Sequence, residues 1–210
     1  MAKQKRDAKA TKAKILKNAR ILFSKQGYDA TTIDNIAAES GINKALVYYY
    51  FKNKSELYSD VMSGLFDAMY NTIVEGKKDC KNAVDELEVF INSYASYAYK
   101  NPYFPALLLR ELSDSGAHLP EIMFVSMRRV FLLLSDILKR GEEEKVFRSS
   151  LAMIVHFMII GTINLMITTD SLRKKAIKLD TNIDTCSKCT EDEVAIYVFE
   201  TIKSSLVIKN

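Results

Sequence analysis

Apolar residues recur at helical spacing from the first part of the chain onwards. Ile15, Ala19 and Phe23 lie four residues apart, and Gly27 follows them as a stop signal. The spacing predicts an amphipathic helix that ends before Gly27. Residues 1–10 are polar and basic, so we expect a disordered arm there.

A second, short helix is predicted after this glycine. Thr31 followed by Asp34 resembles a capping box, and Ile33 and Ile36 form one apolar stripe. Gly41 then provides the turn that ends this helix.

The third predicted helix carries three consecutive tyrosines. Asn43 is a good N-cap, and Val47 and Phe51 lie one turn apart, so both are expected to face inward. The residues on the opposite side are therefore expected to be exposed: Lys44, Ala45, Tyr48 and Tyr49. Helix, glycine turn and helix together are typical of a helix-turn-helix motif.

The rest of the chain also has helical periodicity. Asn53 with Glu56 is a capping box that opens a fourth helix, and no flexible linker precedes it. Between proline and glycine breakers, further helices are predicted at about 83–100, 103–113, 120–141, 149–169 and 191–207. The polar segment 170–190 is predicted to be a long loop. The sequence thus predicts an all-α fold.

Charge is distributed unevenly along the 210 residues. Up to Lys54 there are twelve Lys and Arg against four Asp and Glu, which gives +8; eighteen against twenty-two in the remainder give −4. A basic start indicates a polyanionic partner, although a solvated basic tail would give the same count. Exposed tyrosines and lysines on a short helix suit phosphate oxygens and thymine methyl groups in a major groove. We therefore expect this motif to bind DNA.

Cellular location is indicated by cysteine usage and by the lack of an apolar N-terminal segment. Three cysteines, an odd number, favour a reducing cytoplasm. Residues 151–169 approach the length of a membrane span but contain His156 and Asn164, so a buried core helix is favoured over insertion, and no membrane partner is expected.

Residues 31–57 resemble the DNA-binding segment of the TetR (TetR/AcrR) family of transcriptional regulators. The matching positions are Thr31, Thr32, Ile36, Ala37, Gly41, Ile42, Tyr48, Tyr50, Phe51, Lys54 and Leu57. The resemblance implies an N-terminal three-helix DNA-binding domain with a helix-turn-helix, followed by a larger helical domain for ligand binding and dimerisation. We place these at 1–54 and 55–210. It also implies a homodimer formed largely by the last two helices, which would read a palindromic operator.

Roles are carried over from the family to matching positions. Thr32, Tyr48 and Lys54 would hold phosphates. The residues that would approach base edges are Asn43, Lys44, Ala45 and Tyr49. Family members often have glycine then threonine or serine where this chain has Ala45 and Leu46, so a hydroxyl contact is absent. Lys3, Lys5, Arg6 and Lys9 would reach an adjacent groove or serve solubility only.

The implied effector domain offers large or polar residues on inward-facing helical positions. These pocket candidates are Phe66, Tyr70, Tyr94, Tyr97, Phe104, Met123, Met127, Phe131, His156, Ile160 and Asn164. Aromatic and methionine residues at helical spacing also form ordinary cores. His156 and Asn164 would orient a ligand or hydrogen-bond across a dimer. In the last helix we interpret two apolar stripes, one through Val194 and one through Ala195, as two buried faces. One of these faces would contact a partner subunit.

The expected function is a ligand-responsive repressor released from its operator by a small apolar effector. Two alternatives remain. Cys186 and Cys189 form a CxxC, so a thiol- or metal-responsive regulator is possible, although a zinc site within one subunit lacks the other two ligands. A small-molecule enzyme is disfavoured because no nucleophile elbow, catalytic triad or glycine-rich phosphate loop is visible. No cofactor and no metal are expected.

Overall fold

The computed structural model describes residues 2–180 and 185–208, with side chains from residue 8 onwards. In this part of the chain there are ten α-helices, one short 3-10 helix, Lys77–Asp79, and no β-strand beyond an isolated bridge between Phe147 and Val207. The all-α prediction is confirmed. The α-helices α1 to α10 are Ala2–Ala30, Ile33–Ser40, Lys44–Tyr50, Lys54–Gly76, Ala83–Lys100, Tyr103–Ser113, Glu121–Glu143, Ala152–Thr168, Asp170–Leu179 and Glu191–Leu206.

The start of α1 differs from the prediction. The helix begins at Ala2, so residues 2–10, expected to form a disordered arm, are part of α1. Alanine and lysine have high helix propensity, and extending a formed helix costs less than nucleating one. Lys9 is exposed on this extension, whereas the side chains of Lys3, Lys5 and Arg6 lie outside the described residues. At the other end, α1 is interrupted at Gly27, where the prediction ended it, and continues to Ala30.

That other end is fixed by Gly27. Its φ of 84° lies in the region that glycine adopts without steric cost, and it interrupts the helical backbone. A Cβ at this position would lie 3.1 Å from Nη1 of Arg110, so a larger residue would be both strained and crowded.

The predicted loop over 170–190 is wrong in its first half. Asp170–Leu179 is α9, which buries no side chain in this chain. An ion pair of 2.8 Å between Lys174 and Asp170 supports it at the i,i+4 spacing. Its apolar residues Leu172, Ala176 and Leu179 lie at helical spacing, but the polar residues around them favoured a loop in the sequence analysis. The remaining predicted helices are confirmed to within a few residues at their ends.

Helix α10 buries both of its predicted apolar stripes inside its own chain, where it packs on α5 and α8. Val194, Ala195, Val198, Phe199, Ile202 and Leu206 are all buried. The interpretation that one stripe faces a partner subunit is therefore wrong. The apolar residues that α10 leaves exposed are Ile196 and Tyr197, at 58% and 75%.

The chain forms two compact units. The first comprises residues up to Phe66 together with Ala106–Val125, and its core includes Phe23, Ile36, Phe51 and Tyr58. The second comprises Asp67–Pro105 and residues from Ser126 onwards. Its core includes Phe90, Tyr94, Leu134, Ile159 and Phe199. A domain boundary after residue 54 stays a prediction.

Membrane-spanning potential was considered for the described helices. None of them is by itself long and apolar enough to cross a bilayer. The pair α8 and α9 meets the length and composition criteria only jointly, across a bend of 65°.

Candidate DNA-binding site

The turn between α2 and α3 is built around Gly41. This residue has φ 60° and ψ 38°, a left-handed conformation, and its N–H donates to the carbonyl of Ala38 at 3.0 Å. The N–H of Ile42 donates to the carbonyl of Ala37, also at 3.0 Å. These two bonds satisfy the last carbonyls of α2 and reverse the chain direction within a few residues. The glycine turn of the predicted helix-turn-helix is confirmed.

Helix α3 presents one buried and one exposed side, as predicted. Asn43 caps it, because its Oδ1 accepts the N–H of Ala45 at 2.8 Å. Val47 is fully buried, whereas Tyr48 and Tyr49 are 44% and 79% exposed. Lys44 and Ala45 are exposed on the same helix. The helix therefore offers aromatic, basic and small side chains together on its solvent face.

Lys44 has an acidic partner in α2. Its Nζ lies 2.8 Å from Oδ1 and 2.9 Å from Oδ2 of Asp34. The hydrogen bond to Asp34 raises the pKa of Lys44, so the side chain remains a cation at any physiological pH. An exposed pair of this kind contributes little to stability and is exchanged readily for another anion.

The cap of α2 is one residue later than predicted. Thr32, not Thr31, is the N-cap: its Oγ1 accepts the N–H of Asn35 at 3.1 Å, and the Asn35 Oδ1 accepts the N–H of Thr32 at 3.3 Å. Thr31 is instead buried and donates its hydroxyl to the carbonyl of Gly27 at 2.7 Å. The two adjacent threonines made the register ambiguous in sequence. Thr32 is exposed at the start of α2, where backbone N–H groups favour an anion.

Lys54 is half-buried at the start of α4. Its Nζ donates to the carbonyl of Tyr28 at 3.0 Å and lies 4.1 Å from the centroid of the Tyr28 ring. The ammonium group therefore already binds the end of α1. Lys52, two residues earlier, is exposed.

A buried hydrogen bond joins α4 to α6 in the first compact unit. The hydroxyl of Tyr58 on α4 donates to Oε1 of Glu111 on α6 at 2.5 Å, and both residues are buried. Burial, followed by this hydrogen bond, raises the pKa of Tyr58 far above its ordinary range, so the hydroxyl keeps its proton.

Sequence reasoning missed two residues of this site. Asp34, the partner of Lys44, was assigned only to a cap. Tyr28, the partner of Lys54, lies 26 residues away from it, and no local pattern links the two.

Several effector-pocket candidates cluster in the second unit. The hydroxyl of Tyr94 donates to Oδ1 of Asn164 at 2.9 Å, and both residues are buried. The Phe104 ring lies 6.1 Å from that of Tyr94 and 5.5 Å from that of Tyr97, in edge-to-face geometry. Helices α5, α6 and α8 thus contribute one polar pair within an aromatic cluster.

His156 forms a second group with Phe131, whose ring centroid is 5.6 Å away. Burial lowers the pKa of His156 to about 4, so the imidazole is neutral at pH 7. Its Nδ1 is buried and has no hydrogen-bond partner in the structure. A buried polar atom in this state is available to a ligand.

The other pocket candidates are placed separately. Tyr70 is half-buried beneath the guanidinium of Arg129, which is 3.9 Å from its ring centroid. Met127 and Ile160 are also half-buried. Phe66 and Met123 are buried but belong to the first compact unit.

The CxxC pair is joined by a disulfide between Cys186 and Cys189, and Cys80 is a free thiol. Within residues 2–180 and 185–208, no three His, Cys, Asp or Glu side chains are grouped to hold a metal ion.

Comparison with known proteins identifies both parts of the chain. Residues 15–61 match the family described as bacterial regulatory proteins, tetR family, and residues 84–186 match the tetracyclin repressor-like C-terminal domain. The biofilm operon icaADBC HTH-type negative transcriptional regulator IcaR of Staphylococcus aureus (strain Newman) is 39% identical over 80 residues, which are 38% of this chain and 43% of IcaR. The chain thus spans less than half the length of this curated relative.

Solved structures share the fold over nearly the whole chain. HlyIIR, a hemolysin II transcriptional regulator, has 25% identity and a TM-score of 0.67, with 96% of this chain and 99% of HlyIIR covered. A bacterial regulatory protein in the tetR family from Rhodococcus RHA1 has 18% identity and a TM-score of 0.76. That match covers 95% of this chain and 98% of the other, and at this identity it shows the fold alone.

Proposed function

Because this chain belongs to the TetR family of bacterial regulatory proteins, we propose that it is a DNA-binding transcriptional repressor that responds to a small apolar effector, and not an enzyme. The name of IcaR, a negative regulator, supports repression over activation. Its place of action is the cytoplasm, where bacterial DNA lies.

The observation that carries this proposal is the exposed side of α3. Tyr48 and Tyr49 are exposed beside Lys44 on a helix that Gly41 and Asn43 set off from α2. In the major groove Lys44 would bond a guanine and Tyr49 would pack on a base edge or thymine methyl. Tyr48 and Thr32 would contact phosphates, and these positioning contacts supply much of the affinity.

A dimer is the proposed form on DNA. Helices α8 and α10 leave large apolar side chains exposed, including Phe157 at 60%, Leu165 at 52% and Tyr197 at 75%. Exposed apolar surface of this extent on neighbouring helices is typical of a subunit interface. A two-fold dimer places two copies of α3 on half-sites about 34–36 Å apart, so the operator would be palindromic.

The effector site is proposed within the second unit. The polar pair of Tyr94 and Asn164 lies beside the Phe104 ring, and the buried Nδ1 of His156 has no hydrogen-bond partner. Few polar groups within an apolar lining are the usual composition of a small-molecule pocket. These residues would orient an apolar or amphipathic effector through one or two hydrogen bonds.

One experiment tests the DNA-binding part directly. The purified full chain is used to select bound duplexes from a random DNA library, and the enriched sequences are then titrated by fluorescence anisotropy. We expect a palindrome whose half-sites are one helical turn apart, and we expect Tyr49→Ala to reduce its enrichment. Failure to enrich any sequence at moderate salt would contradict the proposal.

The effector part has a separate test. A panel of apolar and amphipathic small molecules is screened for thermal stabilisation of the protein and for release of the selected duplex. We expect active molecules to lose their effect in Asn164→Leu and to keep it in Lys188→Ala, an exposed control position.

A further inference from the structure

The Cys186–Cys189 disulfide lies just before α10. Cys189 directly precedes Thr190, whose hydroxyl caps α10 by accepting the N–H of Glu193 at 3.2 Å. Cys189 is exposed and Cys186 is half-buried, so of the two cysteines Cys189 is the more open to solvent.

The backbone at Cys186 ties the disulfide to α8. Arg173 donates to the carbonyl of Cys186 at 2.6 Å and to that of Thr185 at 3.1 Å, and it also donates to the carbonyl of Met166 on α8. Cys186 has a φ of 47°, a left-handed conformation that is unfavourable for a residue with a side chain. Two bonds constrain Cys186 in this conformation: the covalent bond to Cys189 and the hydrogen bond between its carbonyl and Arg173.

Cys186 and Cys189 also line a groove between α8 and α10. The groove has a volume of about 510 Å³ and is bounded by Thr162, Met166, Cys186, Cys189, Glu193, Val194, Tyr197 and Val198. Tyr197 is also part of the apolar surface through which we propose that the chain dimerises. The disulfide therefore forms one wall of a groove that is continuous with the proposed subunit interface.

Disulfides are rare in the cytoplasm, and those that occur there are usually transient and regulatory. We propose that the Cys186–Cys189 disulfide is a reversible modification site, reduced by low-molecular-weight thiols, through which the cellular thiol state controls dimerisation and hence operator binding. This inference rests on the proposed function, and it adds a second input besides the effector.

The chemistry is thiol–disulfide exchange. A thiolate of the small thiol attacks Sγ of Cys189, the more exposed of the two residues; the Cys186–Cys189 bond breaks, and Cys186 leaves as a thiolate that takes up a proton. A second small thiol then attacks the mixed disulfide on Cys189 and releases a free Cys189 thiol together with one oxidised small-thiol dimer. Two electrons pass from two small thiols to the protein disulfide, and the reverse exchange restores it.

Reduction removes the covalent constraint on Cys186. The residue then relaxes from its left-handed conformation, its carbonyl leaves Arg173, and the groove wall beside Tyr197 is lost. We expect the reduced protein to dimerise about tenfold more weakly than the oxidised protein. Near the dimer dissociation constant, operator affinity should fall in parallel.

The test compares the full chain in both states. Protein is oxidised with oxidised glutathione or reduced with dithiothreitol, and thiol-alkylation mass spectrometry counts the free cysteines. Sedimentation velocity over a concentration series then gives the dimer dissociation constant, and anisotropy gives affinity for the selected duplex. The Cys186→Ser/Cys189→Ser variant should match the reduced protein under both conditions, whereas Cys80→Ser should respond as the wild type does.

Equal dissociation constants for oxidised and reduced wild type would overturn the inference, and so would loss of the response in Cys80→Ser. The wild-type comparison needs no substitution, so poor folding of a variant cannot obscure it. If no duplex binds in either state, the proposed function fails, while the sedimentation result still decides whether the thiol state controls self-association.

Discussion

Lys44 binds a carboxylate in the free protein, so contact with a guanine requires an exchange of partners. Asp34 holds its Nζ within 2.9 Å from the neighbouring helix and keeps it near the surface of α3. Such a pair orients the lysine before binding and is weak enough to be broken by DNA. In the proposed complex Lys44 would contact the base, and Asp34 would compete with DNA for its ammonium group.

Substitution of this pair gives the first prediction. Lys44→Ala should reduce discrimination at one base position of the operator by about 1–3 kcal/mol, because the contact to the base is lost. Asp34→Asn should instead raise affinity for operator and random duplex alike, since it removes an anion that competes with phosphate. Anisotropy titrations against the operator and its single-base variants measure both. An unchanged base preference in Lys44→Ala would contradict the assignment.

Substitutions of Lys52 and Lys54 should have different effects, one on DNA binding and the other on stability. Lys54 binds the carbonyl and ring of Tyr28, so Lys54→Ala should lower the free energy of unfolding by about 1 kcal/mol. Lys52 is exposed, and Lys52→Ala should leave stability unchanged while reducing the salt dependence of binding by about one phosphate contact. Urea denaturation and titrations at several salt concentrations make the comparison. Equal stability of the two variants would show that the Tyr28 contact contributes nothing.

Helix α8 carries a pH-sensitive side chain, His156, in an apolar environment. Burial lowers the pKa of His156 to about 4 in the folded protein, against an ordinary value of 6.5. Between these values the unfolded state binds more protons than the folded state, so stability rises with pH. The contribution of His156 is complete above about pH 6.5 and is lost as pH falls towards 4.

Stability should therefore decrease on acidification from pH 7 to pH 5, by at most about 1.4 kcal/mol per pH unit from this residue. The His156→Gln variant should lose less stability than the wild type over the same range, and His118→Gln is the matched histidine control. Urea denaturation at pH 7, 6 and 5 gives the three slopes. If His156→Gln kept the wild-type slope, the imidazole would not be buried in its neutral form.

The helices show what sequence patterns can and cannot predict. Helix α5, Ala83–Lys100, matches the predicted range of about 83–100, and the structure shows that Asn82 caps it. Helix α9 was missed although Leu172, Ala176 and Leu179 lie at helical spacing, because the polar composition of 170–190 was interpreted as a loop. The exposed side of α3 followed from the spacing of Val47 and Phe51. The partners of Lys44 and Lys54 could not be predicted, since they are brought close only by tertiary packing.

For the molecule as a whole, the apolar surface on α8 and α10 is the proposed subunit interface. Both apolar stripes of α10, one of which was first assigned to a partner subunit, are buried inside the chain, whereas Phe157 on α8 and Tyr197 on α10 remain 60% and 75% exposed. Two-fold pairing through this surface would cover both residues and give each operator half-site one α3 helix.

A charge placed on this surface should separate the subunits without unfolding them. In Phe157→Glu, pairing would bury two carboxylates without partners, so we expect monomers at micromolar concentration and at least a hundredfold weaker operator binding. Leu179→Glu on α9, where the leucine is 89% exposed, is the matched control and should remain dimeric. Sedimentation velocity, anisotropy and circular dichroism are measured on both variants. A dimeric Phe157→Glu protein with full operator affinity would move the interface to another surface, and the exposed apolar residues of α8 would then need a different partner.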